Sequence, residues 1–385
     1  MRVRTVTTGL GLEEVSEETI RPMAEFNQSA KDLLEAHGFE VQTTRMTSNN
    51  WPQYAGIITD QSSISSNRIL KQMAALDAVC KHMGVDFFSI GSCSRPEEIG
   101  LLPSIISKTS RISCCASLST DAVSVSEPNA LAAASAILRI SKMTDGGLGN
   151  FRFCAEANCP PGIPFFPASY HAGPPSFALG LESADVVYAA FRKARSFESA
   201  RKELAQAMTK AIRPLLPICQ RLARSHRVRF SGVDLSPAPS LEPAGSIAYA
   251  LEAFNDRFGM PGTASGVALV TSVLKGLKLP ATGYSGVMLP VCEDLGLCQA
   301  ADENMFNIDS LLLYSTVCGC GLDTVPVPGG VRKVAVARRL CDLAYLALRH
   351  KKPLSARLFP VPGRHAGERT TFRSQYLANC RIFKI

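Results

Sequence analysis

ISCCASLSTDAVSVSEPNALAAASAILRISKMTDGGLGNFRFCAEAN, residues 112–158, holds an apolar run, a stretch of helical period and a second apolar run, with turn formers between them. ISCCASLS and FRFCAEAN have strand length, and the segment from about Pro128 to Lys142 repeats alanine and aliphatic residues at helical spacing. Strand, helix, strand in this order sets two parallel strands side by side under a covering helix. The same unit recurs upstream. VRTVTTG leads to a helix capped by Ser16, with Ile20, Met23, Ala24 and Leu33 on its apolar positions. FEVQTTRM follows as a second strand, then a helix from about Ser65 to His82, the strand VDFFSIGS and a short helix near Pro96. The fold class is α/β.

Helix-rich sequence from Ser183 to Ser225 leads to a second half that opens on the strand RVRFSGVDLS. Helices are expected near Gly245 to Phe258 and Thr263 to Leu277, then the turn-rich PATGYSGVMLPVCEDLG. IDSLLLYSTV reads as strand or helix, and a last helix runs from about Lys333 to His350. Since no linker poor in apolar residues intervenes, one domain over residues 1–385 is expected. Its half-structures, about 1–182 and 226–385, are joined by the helical segment 183–225. The stretch NCPPGIPFFPASYHAGPPSF cannot be a regular helix or inner strand, because proline removes backbone donors and fixes φ. It is expected to fold over the end of the sheet as a functional loop.

The chain has 385 residues, 46% hydrophobic and 19% charged, which excludes disorder as a main theme. MRVRTVTTGL alternates like a first strand rather than a signal peptide, and no apolar run has the length of a membrane span. A cytoplasmic protein with no membrane partner is expected. The net charge of +8 comes from basic residues scattered among acids on helices, so nucleic acid is not expected as a partner, whereas a small anionic molecule is. Thirteen cysteines, odd in number and unevenly spaced, read as reduced thiols.

Taken together, NFRFCAEANCPPGIPFFPASYH, GPPSFALGLESADVV, GVDLSPAPS, GYSGVMLPVCEDLGL, VCGCGLDTVPVPGG and ERTTFRSQYLANCRI resemble the uncharacterised family called domain of unknown function 711, over nearly the whole chain. The resemblance implies a pyruvate formate-lyase-like α/β barrel of ten strands, two five-stranded parallel halves lying antiparallel, with a finger loop inside. Glycyl-radical chemistry is not implied. Only ATGYSG, residues 281–286, has letters like a radical segment, and the last nine residues, LANCRIFKI, contain no glycine.

The candidate site residues lie in stiff or glycine-flanked stretches. His171, within the proline-rich loop, suits proton transfer near neutral pH, and Tyr170 beside it is a candidate donor. Asp234 and Asp323 fall at expected strand ends, where ligands of α/β sheets gather. Asp323 and Thr324 follow Cys318 and Cys320, which could grip a soft metal but lack two further ligands at suitable spacing. A glycine bend is therefore the better reading, and no metal is expected from this pair. Tyr284 and Ser285 sit between Gly283 and Gly286, where a backbone can approach a ligand closely. Glu182 and Ser236 complete the substrate-contacting set. No dinucleotide fingerprint or P-loop is present, so no cofactor is expected. The sequence points to a lyase or isomerase, a homo-oligomer, acting on a small polar or anionic metabolite by acid–base chemistry. The alternatives are a metal-assisted hydrolase, with a divalent cation on Asp234, Glu182 and Asp323, and a non-catalytic metabolite-binding protein.

Overall fold

The computed structural model describes residues 1–55, 66–119, 121 and 123–385. Among these, nine strands form one sheet: β1 (Arg2–Leu10), β2 (Val41–Ser48), β3 (Phe87–Cys93), β4 (Ile112–Ser117), β5 (Phe153–Ala157), β6 (Ser176–Glu182), β7 (Arg229–Ala238), β8 (Gly321–Pro328) and β9 (Leu354–Val361). Their spatial order is β7-β6-β1-β2-β3-β4-β5-β9-β8. The first five strands run parallel, as the repeated strand–helix unit predicts. β6 and β9 lie antiparallel to the outer members of that group, and each carries a parallel partner, β7 or β8. The sheet is mostly parallel and is not closed. Within the turn-rich stretch, residues 281–290 make two isolated bridges, Ala281 to Val233 of β7 and Pro290 to Asp323 of β8.

The first helix, Glu17–Ala36, is capped by Ser16, whose side chain accepts from Thr19 N. The helix read from about Ser65 is described as Ser66–His82, Ser65 itself lying outside the described residues. IDSLLLYSTV resolves as helix over Ile308–Tyr314, and the helix expected from Gly245 to Phe258 is only Ile247–Glu252. Three strands differ from the sequence reading. SFALGLE is β6, although GLESAD reads as a helix start; the valine–proline alternation GLDTVPVP is β8; and LSARLFPV, which carries an arginine amid apolar residues, is β9.

Alternate residues of a strand take opposite faces. One set, including Val6, Met46, Phe88, Ile112, Cys114 and Leu179, belongs to the large core that the helices share. The other set is polar or small, and one long loop lies on it. Residues 158–175 do not merely cover the sheet end. Thr7 donates to Pro164 O at 2.9 Å, Ser89 to Ser169 O at 2.6 Å, and His171 N to Ser48 O at 2.8 Å. Gly162 N, donating to Tyr170 O at 2.9 Å, pins the two arms together. The ring of Phe165 takes the space a Cβ at Gly180 would fill, within 2.9 Å of it, so β6 needs a glycine there. Proline fixes the loop's dihedrals in the unfolded chain too, which reduces the entropy lost in holding this shape.

Candidate functional site

Beneath the tip of this loop lies a cavity of about 60 Å³, bounded by Arg4, Arg45, Arg357, Glu293, Asp323 and Tyr284 among others. The charged groups form a mostly buried alternating chain. Glu182 of β6 takes Arg2 and, at 2.6 Å, Arg4 of β1. Arg4 also donates to Glu293 at 2.5 Å, Glu293 accepts from Arg357 of β9 at 2.6 Å, and Arg357 holds Asp323 of β8. The link depends on the turn after residues 281–290, because the Pro290–Asp323 bridge sets Glu293 beside β8. Burial opposes the Arg357 charge, but Asp323 and Glu293 outweigh it and raise its pKa. Burial raises the carboxyl of Asp323, with Arg357 pulling the other way.

Arg45, in the middle of β2, differs from the other arginines. It is 9% exposed, and its Nε donates to Thr43 Oγ1 at 3.0 Å, but among the described residues it makes no ion pair. Its guanidinium lies over the rings of Phe87 and Phe166, at 5.5 and 5.4 Å from their centroids. Burial, reinforced by the Arg4 and Arg357 charges, pushes it down to about 9. Arg152, also in the lining, is spent on the carbonyls of Ile106, Thr109 and Ile112.

The candidates named from sequence do not share one place. Asp323 and Tyr284 line the cavity, and the Tyr284 hydroxyl lies 3.0 Å from Ser355 Oγ. Burial lifts this phenol well above its ordinary value, so it stays protonated. Asp234, Ser236, Gly283 and Ser285 come together in a knot that joins β7 to residues 281–290. Asp234, with no exposed surface, accepts from Ser236 N at 3.0 Å, Ser236 Oγ at 2.6 Å, Tyr284 N at 2.8 Å and Ser285 N at 2.9 Å. A Cβ at Gly283 would lie 2.0 Å from Asp234 Oδ2, which makes glycine necessary there. Thr324 is also internal, its hydroxyl accepting from Cys292 N at 3.2 Å. The bend at Cys318 to Cys320 has a backbone cause: Gly319 and Gly286 pass so closely that a Cβ on Gly319 would meet Gly286 C at 2.7 Å.

His171 is elsewhere, in a separate recess with Arg229, Ser176 and Thr282. Its Nε2–H donates to Gly173 O at 2.8 Å, and burial lowers its pKa, so the neutral imidazole is favoured. Tyr170, raised to about 12 by burial, borders a polar cleft at the carboxyl ends of β2 to β5, with Asn50, Ser92, Glu156 and Cys159. Glu156 accepts from Ser92 Oγ at 3.0 Å, and burial raises its carboxyl. Among the described residues, no Lys or Arg lines this cleft. Glu182 is fully engaged by Arg2 and Arg4. Among the described residues, no group of three His, Cys, Asp or Glu side chains could hold a metal ion.

Sequence reading missed Arg4, Arg45, Arg357 and Glu156. The signal for Arg45 was present: in VQTTRMTS an arginine shares its face with two threonines in a strand that is buried throughout most of its length.

The chain belongs to the family described as uncharacterised ACR (DUF711), whose model matches residues 1–374. It is similar to the UPF0210 protein of Pyrobaculum arsenaticum, 36% identical over 230 residues, covering 56% of this chain and 51% of that protein. It is also similar to the UPF0210 proteins of Pyrobaculum islandicum, 31% identical over 76% of this chain and 68% of that protein, and Halothermothrix orenii, 25% identical over 96% and 88%. No described helix is long and apolar enough to cross a membrane.

Proposed function

We propose that the protein is an enzyme acting on a small anionic metabolite in this cavity, by acid–base chemistry of the lyase or isomerase type and without a radical. The observation that carries the reading is Arg45, a buried guanidinium with no acidic partner, facing the same space as Asp323 and Tyr284. A buried charge without a partner is costly, and a bound anion removes that cost. Asp323, its carboxyl raised by burial, is the proton-transfer group, and Tyr284 is a hydrogen-bond donor to developing negative charge. The divalent-cation alternative is weakened because Asp234, Glu182 and Asp323 each spend oxygens on different amide or guanidinium donors.

The same reading takes the fold as a pyruvate formate-lyase-like barrel closed by residues 281–290, supported by their bridge to each sheet edge and by the loop on the inner face. A cytoplasmic homo-oligomer also belongs to it. Val334 and Tyr345, eleven residues apart and so on one side of the helix Lys333–Arg349, are exposed and support the oligomer.

The test incubates purified protein with pooled small carboxylates and phosphates and follows them by mass spectrometry. Conversion of one compound is expected, with Asp323→Asn reducing turnover by about 10²-fold or more. Retention of a compound without conversion would favour the non-catalytic binder. Full turnover by Asp323→Asn would overturn the acid–base assignment.

A further inference from the structure

The geometry of the cavity mouth points to the kind of anion it takes: we propose a monocarboxylate with a flat apolar or aromatic body. This proposal rests on the anion-site reading above and narrows it. Phe87, Phe151, Phe166 and Tyr376 stand around the cavity, each of them only partly covered. Phe151 and Tyr376 are stacked, with centroids 5.7 Å apart and planes 9° from parallel, and the Phe87 ring meets Tyr376 at 6.3 Å. Partly covered rings at the mouth of a cavity, rather than packed in the core, leave faces on which a flat body can lie.

The charge count restricts the head group. Four arginines and two carboxylates border the cavity. Arg4 and Arg357 share Glu293, Arg357 also holds Asp323, and Arg152 donates to backbone carbonyls. One guanidinium, Arg45, is left without an acid among the described residues. Its Nε is engaged by Thr43, while the pair of terminal nitrogens makes no hydrogen bond among the described residues, which is the half of the fork that a carboxylate grips through two oxygens. A phosphate dianion would bring a second negative charge beside Glu293 and Asp323 with no second free cation among the described lining residues to meet it. Arg45 also lies over Phe87 and Phe166, so a carboxylate on its edge directs the attached body along the same aromatic surface.

Calorimetry with four probes tests this: phenylacetate, acetate, 2-phenylethanol and inorganic phosphate. Phenylacetate is expected to bind at least tenfold more tightly than each of the others, and Arg45→Met to weaken phenylacetate at least tenfold while leaving phenylethanol unchanged. Phe166→Leu, which keeps the charge, should weaken phenylacetate but not acetate. If acetate or phosphate binds as well as phenylacetate and Arg45→Met abolishes it, the aromatic carboxylate is wrong and the anion site stands. If no anion binds the wild-type protein, both readings fail. Should Arg45→Met not fold, the wild-type probe series and Phe166→Leu decide the outcome alone.

Discussion

The two faces of the sheet follow opposite rules. On the helix side, Val6, Met46, Phe88 and Ile112 are buried as apolar surface, and every contact is interchangeable in kind. On the loop side, strands of the same sheet bury Arg45, Arg357, Glu156 and Asp234, each of which depends on a particular partner or lacks one. Burial of apolar area favours folding in proportion to its extent, whereas burial of charge favours it only when the geometry is complete. Stability should therefore reside mainly on one face and ligand recognition on the other, with residues 281–290 as the exception that serves both.

The most damaging single change should be at that exception. Asp234→Ala leaves the amides of Tyr284, Ser285 and Ser236 without their acceptor, and a loss of about 4 kcal/mol or more is expected in denaturant unfolding. A loss below about 1 kcal/mol would show that the knot is not what fixes this segment. On the helix side, Phe88→Ala should cost about 3–5 kcal/mol through the cavity it leaves, with phenylacetate binding retained. Arg45→Met should move the two quantities in opposite directions, gaining about 2 kcal/mol of stability as it loses the ligand. If both fell together, the division between the faces would be false.

Cys114 and Cys115 test the division at neighbouring positions. They lie in different clusters, one on each face, as adjacent strand residues must. Replacing each by Ser is expected to cost about 1–2 kcal/mol in packing, with phenylacetate binding intact. The smallest effect is electrostatic. His171 has its pKa lowered below 6.5, so the folded state binds fewer protons than the unfolded chain as pH falls past 6.5. Its share of stability is complete above pH 6.5 and is lost as pH falls through the folded value; His171→Gln should flatten that part of the stability–pH curve, and an unchanged curve would remove the role.

The sequence was most legible where chemistry and period agree. The apolar face of β1 to β5 and the capped first helix follow from pattern alone, and Asp323 and Tyr284 were placed near a cavity because glycine bends flank them. Arg45 and Arg357 were missed for a physical reason: a charged residue within a strand ordinarily marks the solvent side, and only the loop of residues 158–175 turns that side into an interior. β6 was missed because GLESAD suits a helix N-terminus as well as a strand end followed by one, and the structure contains both. Asp234 and Ser236 were expected near substrate. Polar residues beside glycine mark tight backbone approach as readily as ligand approach, and here the approaching group is the protein's own chain.

The bridges of residues 281–290 to β7 and β8 also bear on how the protein behaves in a crowded solution. Strands at the ends of a sheet present unpaired amides and carbonyls that can recruit another chain, and both ends of this sheet have the one segment lying across them. A single loosening event, at the Asp234 knot, would bare two sticky borders at once rather than one. Partly opened molecules would then be able to add to one another at either border, so the first sign of damage at Asp234 should be concentration-dependent clumping on mild heating, before the helices melt.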